Sequence, residues 1–116
     1  MSVEIQFIKG ISEKSLPIIK LTKSVSGKTG TATFLFLFPN IFELSKLNNI
    51  TAMHLLWDNK QITTNQITTI FKKGKPFLLK VIFIFKNEKE WFNFLNFMSL
   101  YSKETGLFFT ESPLFF

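Results

Sequence analysis

The sequence contains no cysteine, no arginine and a single histidine, His54. Without cysteine, the chain has no disulfide, no thiolate metal ligand and no cysteine nucleophile. Arginine is the preferred residue for bidentate contacts to phosphates and bases, so its absence weakens a nucleic-acid-binding function. His54 shares one face of a predicted strand with Ala52 and Leu56, which indicates a packed or surface imidazole. We therefore predict no metal site, no cofactor and no enzyme activity.

Long hydrophobic runs are also missing. No uninterrupted apolar run approaches the ~18 residues that a membrane-spanning helix needs. The best candidates, residues 34–38 and 77–85, have the length of strands. Because Glu4 and a strand-like alternation follow directly after the first residues, we expect neither a signal peptide nor a transit peptide. These features favour a soluble protein that works where it is made.

The chain does have enough apolar material for a core. Hydrophobic residues make up 46% of its 116 residues, which predicts one domain spanning residues 1–116. Fourteen basic residues, all lysine, against eight acidic ones give a net charge of +6. Sixteen phenylalanines together with the absence of arginine are typical of A+T-rich codons, which suggests an organellar or similarly biased genome.

One long segment has a helical period, and we predict a helix at about residues 88–105. Asn87 and Glu90 have the spacing of a capping box, and Gly106 supplies the left-handed residue that commonly ends a helix. One apolar stripe follows the helical spacing and is expected to pack on a sheet: Trp91, Phe94, Leu95, Met98 and Tyr101. Three further apolar residues fall outside this stripe: Phe92, Phe97 and Leu100.

The rest of the chain favours strands joined by short turns. Strand patterns cover residues 3–8, 18–24, 31–38, 50–57, 61–64, 66–72 and 77–86. In the third of these, alternation places Ala32, Phe34, Phe36 and Phe38 on one face and Thr31, Thr33, Leu35 and Leu37 on the other. Ile41, Leu44 and Leu47 have the spacing of one or two helical turns.

These elements predict an α+β fold. Strands at about residues 3–86 form a curled antiparallel sheet, either an open half-barrel or sandwich-like, because short turns join antiparallel neighbours. One long C-terminal helix packs on that sheet, and a short apolar tail at residues 107–116 follows it.

The segment Ser26–Thr29 resembles part of a phosphate-binding loop. That motif needs a glycine five residues before Gly27, where Thr22 stands, and a helix after the loop, where a strand is predicted. A hairpin turn therefore explains these residues better.

Two non-enzymatic functions remain open at this point. The first is a protein-interaction module that uses a strand edge, the aromatic tail or the lysine-rich turns. The second is a nucleic-acid-binding β-domain in which Phe34 and Phe36 stack on bases among lysines. Composition favours the first.

The order of the motifs along the chain resembles the Psb28 protein family of photosystem II. The motifs are residues 4–10 (EIQFIKG), 27–34 with Pro39, 50–55 (ITAMHL) with Asp58, 72–76 (KKGKP), 90–98 (EWFNFLNFM) with Tyr101, and 106–110 (GLFFT). The resemblance covers about residues 3–112, nearly the whole chain.

This resemblance implies a small extrinsic protein of oxygenic phototrophs without catalytic residues or a cofactor. It implies binding to photosystem II assembly intermediates, near the larger inner-antenna chlorophyll protein and the reaction-centre core. The expected location is the stromal side of the chloroplast thylakoid membrane, or the cytoplasmic side in a cyanobacterium. Such a protein is expected to leave before the complex matures.

We expect the partner to bind at an open sheet edge or at the C-terminal tail. Main-chain hydrogen bonds to an added strand provide register without a large apolar patch. The strand at residues 31–37, with Thr31 and Thr33 on its more polar face, is the predicted edge. The tail candidates are Phe108, Phe109, Leu114, Phe115 and Phe116. Phe108 and Phe109 are equally compatible with a place in the core, whereas exposure or partner contact is favoured for the last three.

Overall fold

A computed structural model describes residues 3–44, 46 and 49–107, together with the backbone of residues 110–113. These residues form nine strands and two helices. The strands are β1 (Val3–Ile8), β2 (Ile11–Ser12), β3 (Ile18–Lys23), β4 (Gly30–Leu37), β5 (Met53–Trp57), β6 (Lys60–Thr64), β7 (Ile67–Lys72), β8 (Lys75–Phe85) and β9 (Thr110–Pro113). The helices are α1 (Ile41–Leu44) and α2 (Glu88–Thr105).

The strands form two sheets. The order in the first sheet is β2-β1-β5-β6, and the order in the second is β7-β8-β4-β3-β9. All pairs are antiparallel except β3 with β9, which run parallel. The predicted α+β class with a curled, sandwich-like antiparallel sheet and a C-terminal helix is confirmed.

Tight turns explain how neighbouring strands pair. Asp58 and Asn59 connect β5 to β6, and Lys73 and Gly74 connect β7 to β8, all four with positive φ. Two such residues in a row are typical of the hairpin turn whose twist matches that of its strands. The predicted turn at Ser26–Thr29 joins β3 to β4 as a hairpin, so the phosphate-loop interpretation has no structural support.

The strand at residues 31–37 is not an edge, and that prediction was wrong. In the second sheet β4 pairs with β3 on one side and with β8 on the other. Sequence alternation reports which side chains share a face, but it does not report how many neighbours a strand has. The parallel strand β9, which lies in the predicted tail, was not predicted.

Local signals define α2 well. The Asn87 Oδ1 atom accepts a hydrogen bond from the Glu90 N–H at 2.9 Å, and the Lys86 N–H donates to Glu90 Oε1 at 3.0 Å. At the other end Gly106 has φ 75°, and its N–H donates to the Ser102 carbonyl at 2.8 Å. The predicted bounds of 88–105 are therefore confirmed.

The core lies between the two sheets and under α2. Phe7 of the first sheet meets Phe36 of the second edge-on, with ring centroids 5.1 Å apart. From α2, Phe94 stacks on Phe85 at 4.7 Å, and Phe97 meets Trp57 at 5.5 Å. The helix therefore contacts both sheets and closes one side of the sandwich.

The buried stripe of α2 differs by one residue from the predicted one. Trp91, Phe94, Met98 and Tyr101 are buried as expected, but Leu95 is only half-buried. Phe97, which was placed outside the stripe, is fully buried because the first sheet covers a second flank of the helix. If only the second sheet packed on α2, that flank of the helix would be exposed to solvent.

Close packing also fixes one glycine. A Cβ atom at Gly30 would lie 2.7 Å from the Thr22 carbonyl oxygen and 2.7 Å from the Trp91 ring. Only glycine therefore allows the start of β4 to approach the indole of α2 so closely.

The short helix α1 confirms the helical turn that Ile41 and Leu44 predicted. Its proposed continuation to Leu47 lies outside the described residues. No helix in the described part of the chain is long and apolar enough to cross a membrane.

Candidate docking surface

The second sheet has one face on the core and one face without a covering layer in the described structure. We call the side chains on this second face the outer face. It comprises Ile18, Lys20, Thr22, Thr31, Thr33, Leu35, Leu37, Thr68, Ile70, Leu78, Lys80, Ile82 and Ile84. Strand register brings these residues together in rows, since directly paired residues point to the same side.

The outer face is rich in branched apolar side chains. Ile18 is 61% exposed, Leu37 is 59% exposed and Ile84 is 52% exposed. Its only charged members are Lys20 and Lys80, which both carry positive charge at neutral pH. Isolated exposed apolar residues need no explanation, but a contiguous group of them marks an interaction surface.

The outer face contains two of the residues that the sequence predicted to meet a partner. Thr31 pairs with Ile84, and Thr33 pairs with Ile82, and both threonines are half-buried. Because β4 is an inner strand, these threonines offer side chains to a partner but no free backbone edge. Whether they contact a partner stays a prediction.

The other predicted docking residues are Phe108, Phe109, Leu114, Phe115 and Phe116. All five lie outside the described residues. The backbone of β9 between them pairs with β3, which places this part of the tail at one margin of the second sheet.

A free backbone edge does exist on the opposite margin of the second sheet. Among the described residues, β7 pairs only with β8, so its other side has no strand neighbour. Thr68 is exposed there, and Thr69 and Ile70 are half-buried. In the first sheet β6 has the same status, with β5 as its one partner. An unpaired edge is a template for an added strand.

The outward side of the first sheet is polar by comparison. His54 Nδ1 lies 2.8 Å from Thr63 Oγ1, and the Gln6 side chain accepts a hydrogen bond from the Gly10 N–H at 3.0 Å. Partial burial, and secondarily the charge of Lys9, lower the pKa of His54. The imidazole thus lies in a strand and hydrogen-bonds a neighbouring threonine, in agreement with the packed or surface imidazole that the sequence predicted.

Glu13 is the one buried acidic side chain among the described residues, and its contacts are structural. Its two carboxylate oxygens accept hydrogen bonds from the N–H groups of Asn40 at 2.8 Å and Ile41 at 2.9 Å. They also accept from the Ser15 N–H and hydroxyl. These donors include the first N–H groups of α1, so Glu13 anchors that turn to the sheet.

The structure removes the basis for the nucleic-acid alternative. Phe34 and Phe36, the rings proposed to stack on bases, have no exposed surface. The two rings stack on each other in the core, and Phe34 also meets Phe94 edge-on. Within the described residues, no group of three or more histidine, aspartate or glutamate side chains is arranged to hold a metal ion.

Sequence reasoning missed the apolar character of the outer face as a whole. One signal was present, since Leu35 and Leu37 make the polar side of β4 apolar toward its end. The register then adds Ile18 and Leu78, which come from strands far apart in sequence. Phe38 was also predicted to share the face of Phe34 and Phe36, whereas its φ of 47° turns it outward and leaves it 66% exposed.

Comparison with known proteins gives one consistent result. The family model described as Psb28 protein matches residues 5–109. A photosystem II reaction center Psb28 protein of Trieres chinensis is 42% identical over 114 residues, covering 97% of this chain and 99% of the relative. Proteins of the same name from Guillardia theta and Rippkaea orientalis are 39% and 38% identical and cover 93% and 94% of this chain, and 95% and 96% of their own lengths.

Proposed function

This chain belongs to the Psb28 protein family, and from that membership we propose that it is a non-catalytic extrinsic protein that associates with photosystem II. The observation that carries the proposal is the near-full-length similarity to relatives whose names assign them to the photosystem II reaction centre.

The finer proposal concerns the stage and the place of binding. We infer that the protein binds assembly intermediates of photosystem II rather than the mature complex. It docks near the larger inner-antenna chlorophyll protein and the reaction-centre core. The site is the stromal side of the chloroplast thylakoid membrane, or the cytoplasmic side in a cyanobacterium.

The surface best suited to this role is the margin of the second sheet formed by β7. A partner strand added there gains main-chain hydrogen bonds along six residues, Ile67–Lys72. Neighbouring outer-face side chains such as Ile70 and Leu78 then give limited apolar contact. Such a contact can be made and later released, because it does not bury a large apolar area. The C-terminal residues 114–116 are the second docking candidate.

The experiment that tests the proposal is affinity isolation of the tagged protein from thylakoids. Partners are identified by mass spectrometry, and isolated complexes are separated by size under native conditions. We expect photosystem II core subunits in complexes smaller than the mature form. Isolation of mature complexes alone would contradict the assembly proposal, and absence of photosystem II subunits would contradict the association itself.

The edge is tested with the variant Thr68→Lys, because an added lysine on an edge strand opposes the pairing of a further strand. Gln61→Lys on β6 is the matched control, since it adds the same charge at an exposed position of the other free edge. We expect the β7 variant to lose most of its photosystem II subunits and the β6 variant to keep them. Equal retention by both variants would exclude the β7 edge.

A further inference from the structure

One end of the second sheet combines exposed rings with concentrated positive charge. We call it the basic tip, and it consists of Phe38, Phe71, Lys72, Lys73 and Lys75. All five side chains are exposed. Phe71, Lys72 and Lys75 flank or begin the β7–β8 turn that contains Lys73.

Phe38 joins this group from a neighbouring strand. Its N–H donates to the Phe77 carbonyl at 2.8 Å, and its ring centroid lies 6.3 Å from that of Phe77. On the other side of β8, Phe71 of β7 is paired with Pro76 of β8. Phe38 and Phe71 therefore lie on opposite sides of β8, next to its neighbouring residues Phe77 and Pro76.

Three local rules of stability are broken at the basic tip. Phe38 has φ 47°, a conformation that is a clear outlier for a bulky residue. Lys73 has φ 52° at a turn position that favours asparagine or glycine. Lys72 is paired directly opposite Lys75, although like charges in that position repel each other. Breaks of this kind cluster at functional sites.

The lysines of the basic tip lie in a stretch of sequence without acidic residues. No aspartate or glutamate occurs between Asp58 and Glu88. The nearest lysine on the outer face, Lys80, has the same sign. The ligand that fits this region is therefore anionic and can accept exposed hydrophobic side chains at the same time.

We propose that the basic tip binds the surface of a membrane that contains anionic lipids. Exposed aromatic rings enter the headgroup region, where the apolar ring leaves water and packs at the boundary of the acyl chains. Lysine stems extend along apolar surface while their ammonium groups stay beside the headgroups. Exposed rings together with lysines match a surface that is both anionic and apolar, as the headgroup layer of such a membrane is.

This inference goes beyond the proposed function and does not depend on it. Vesicles contain no photosystem, so a failure to bind them overturns the lipid contact alone. A failure of the affinity isolation, by contrast, overturns the association with photosystem II. The two results are therefore distinguishable.

The test is sedimentation of the purified full chain with vesicles of phosphatidylcholine, with and without phosphatidylglycerol. We expect binding to the mixed vesicles, little binding to phosphatidylcholine alone, and weakening as salt is added. Equal binding to both vesicles, or no binding to either, would overturn the proposal. Binding to soluble polyglutamate without binding to vesicles would assign the basic tip to an acidic protein instead.

A charge-matched pair of variants locates the contact. The tip variant carries Lys72→Gln, Lys73→Gln and Lys75→Gln. The control carries Lys28→Gln, Lys86→Gln and Lys89→Gln at exposed positions outside the basic tip. Removing the tip lysines is expected to weaken binding about fivefold each, roughly a hundredfold together. A similar loss in the control would show that net charge alone is responsible.

Two substitutions at Phe38 test the hydrophobic part of the proposed membrane contact. Phe38→Asn suits the positive φ and is expected to keep the thermal unfolding temperature, while vesicle binding falls roughly tenfold. In Phe38→Trp, brominated lipids are expected to quench the new fluorescence, because the native indoles Trp57 and Trp91 are buried. Unchanged binding by Phe38→Asn together with no quenching of Phe38→Trp would overturn the insertion of this ring.

Discussion

Two regions of this molecule carry large apolar side chains but have opposite surroundings. Between the sheets, the rings of Phe34, Phe94 and Trp91 contact other rings and have at most 1% exposed surface. On the outer face, Ile18, Leu37 and Ile84 point away from the core and are more than half exposed. Residue type alone therefore does not say which region holds the fold together.

The difference teaches how one sheet serves two purposes. Alternate residues of β4 and β8 face opposite sides, so the same two strands supply the core and the outer face. Substitutions in the core are expected to change the free energy of unfolding. Substitutions on the outer face are expected to leave that free energy almost unchanged and to alter binding instead.

The largest expected effect is the loss of Trp91 from the core. Trp91→Ala removes a ring that packs on Phe85 and Phe94, and it should lower the free energy of unfolding by ~3–5 kcal/mol. Chemical denaturation measures this loss. Phe92→Ala is the control at the next position, which is 48% exposed, and should cost under ~1 kcal/mol. A loss for Trp91→Ala well below 1 kcal/mol would show that the stripe does not hold the core.

The ionisation of Tyr101, the single tyrosine, tests the burial of the core in a second way. Burial, and secondarily the charge of Glu13, raise the pKa of Tyr101 to about 12. The unfolded chain loses this proton near the ordinary tyrosine pKa of about 10. The folded state therefore keeps a proton that the unfolded state has lost, so this contribution to stability is present below pH ~10 and is lost as pH rises toward 12.

Tyr101→Phe should lack this alkaline loss, which we expect to be about 2 kcal/mol between the two pKa values. Denaturation of both proteins across this pH range measures this loss, because every other ionisable group is common to the two proteins. Tyrosinate absorbance of the folded protein reports the pKa directly, since no other tyrosine contributes. If Tyr101 of the folded protein lost its proton at the ordinary tyrosine pKa of about 10, its ring would be exposed to water and not part of the core.

The smallest effect is expected on the outer face. Ile84→Thr keeps a β-branched side chain at an exposed strand position and should change the free energy of unfolding by less than ~0.5 kcal/mol. Val81→Thr makes a related change on the core side of the same strand, where it buries a hydroxyl, and should cost about 1–3 kcal/mol. Equal losses at both positions would mean that the outer face is covered in the folded protein.

Much of the secondary structure could be predicted because its signals are local. The caps of α2 at Asn87 and Gly106 act within four residues of the helix ends, so sequence spacing was sufficient to place them. The face of β4 that carries Phe34 and Phe36 followed from alternation, which is also local. The departure at Phe38 arises where the backbone changes conformation after the strand, and alternation does not report that change.

The candidate docking surface was only partly predictable. Thr31 and Thr33 were placed correctly on the side opposite Phe34, but the strand was wrongly taken as an edge. Among the described strands, β7 and β6 each have a free edge. The apolar outer face arises only when Ile18, Leu37 and Leu78 from three strands are brought into register. Contacts between residues so far apart in sequence leave no recognisable pattern within any single strand.

By itself, the sequence determined the α+β class, the ends of α2, the hairpin turns and the family. Each of these depends on neighbouring residues or on the order of motifs along the chain. Only the tertiary structure decided that β4 is central, that β9 runs parallel to β3, and that Phe97 is buried while Phe38 is exposed. Backbone hydrogen bonds between strands are the same for every residue type except proline, so the packing of whole faces, and not local pattern, selects the neighbours.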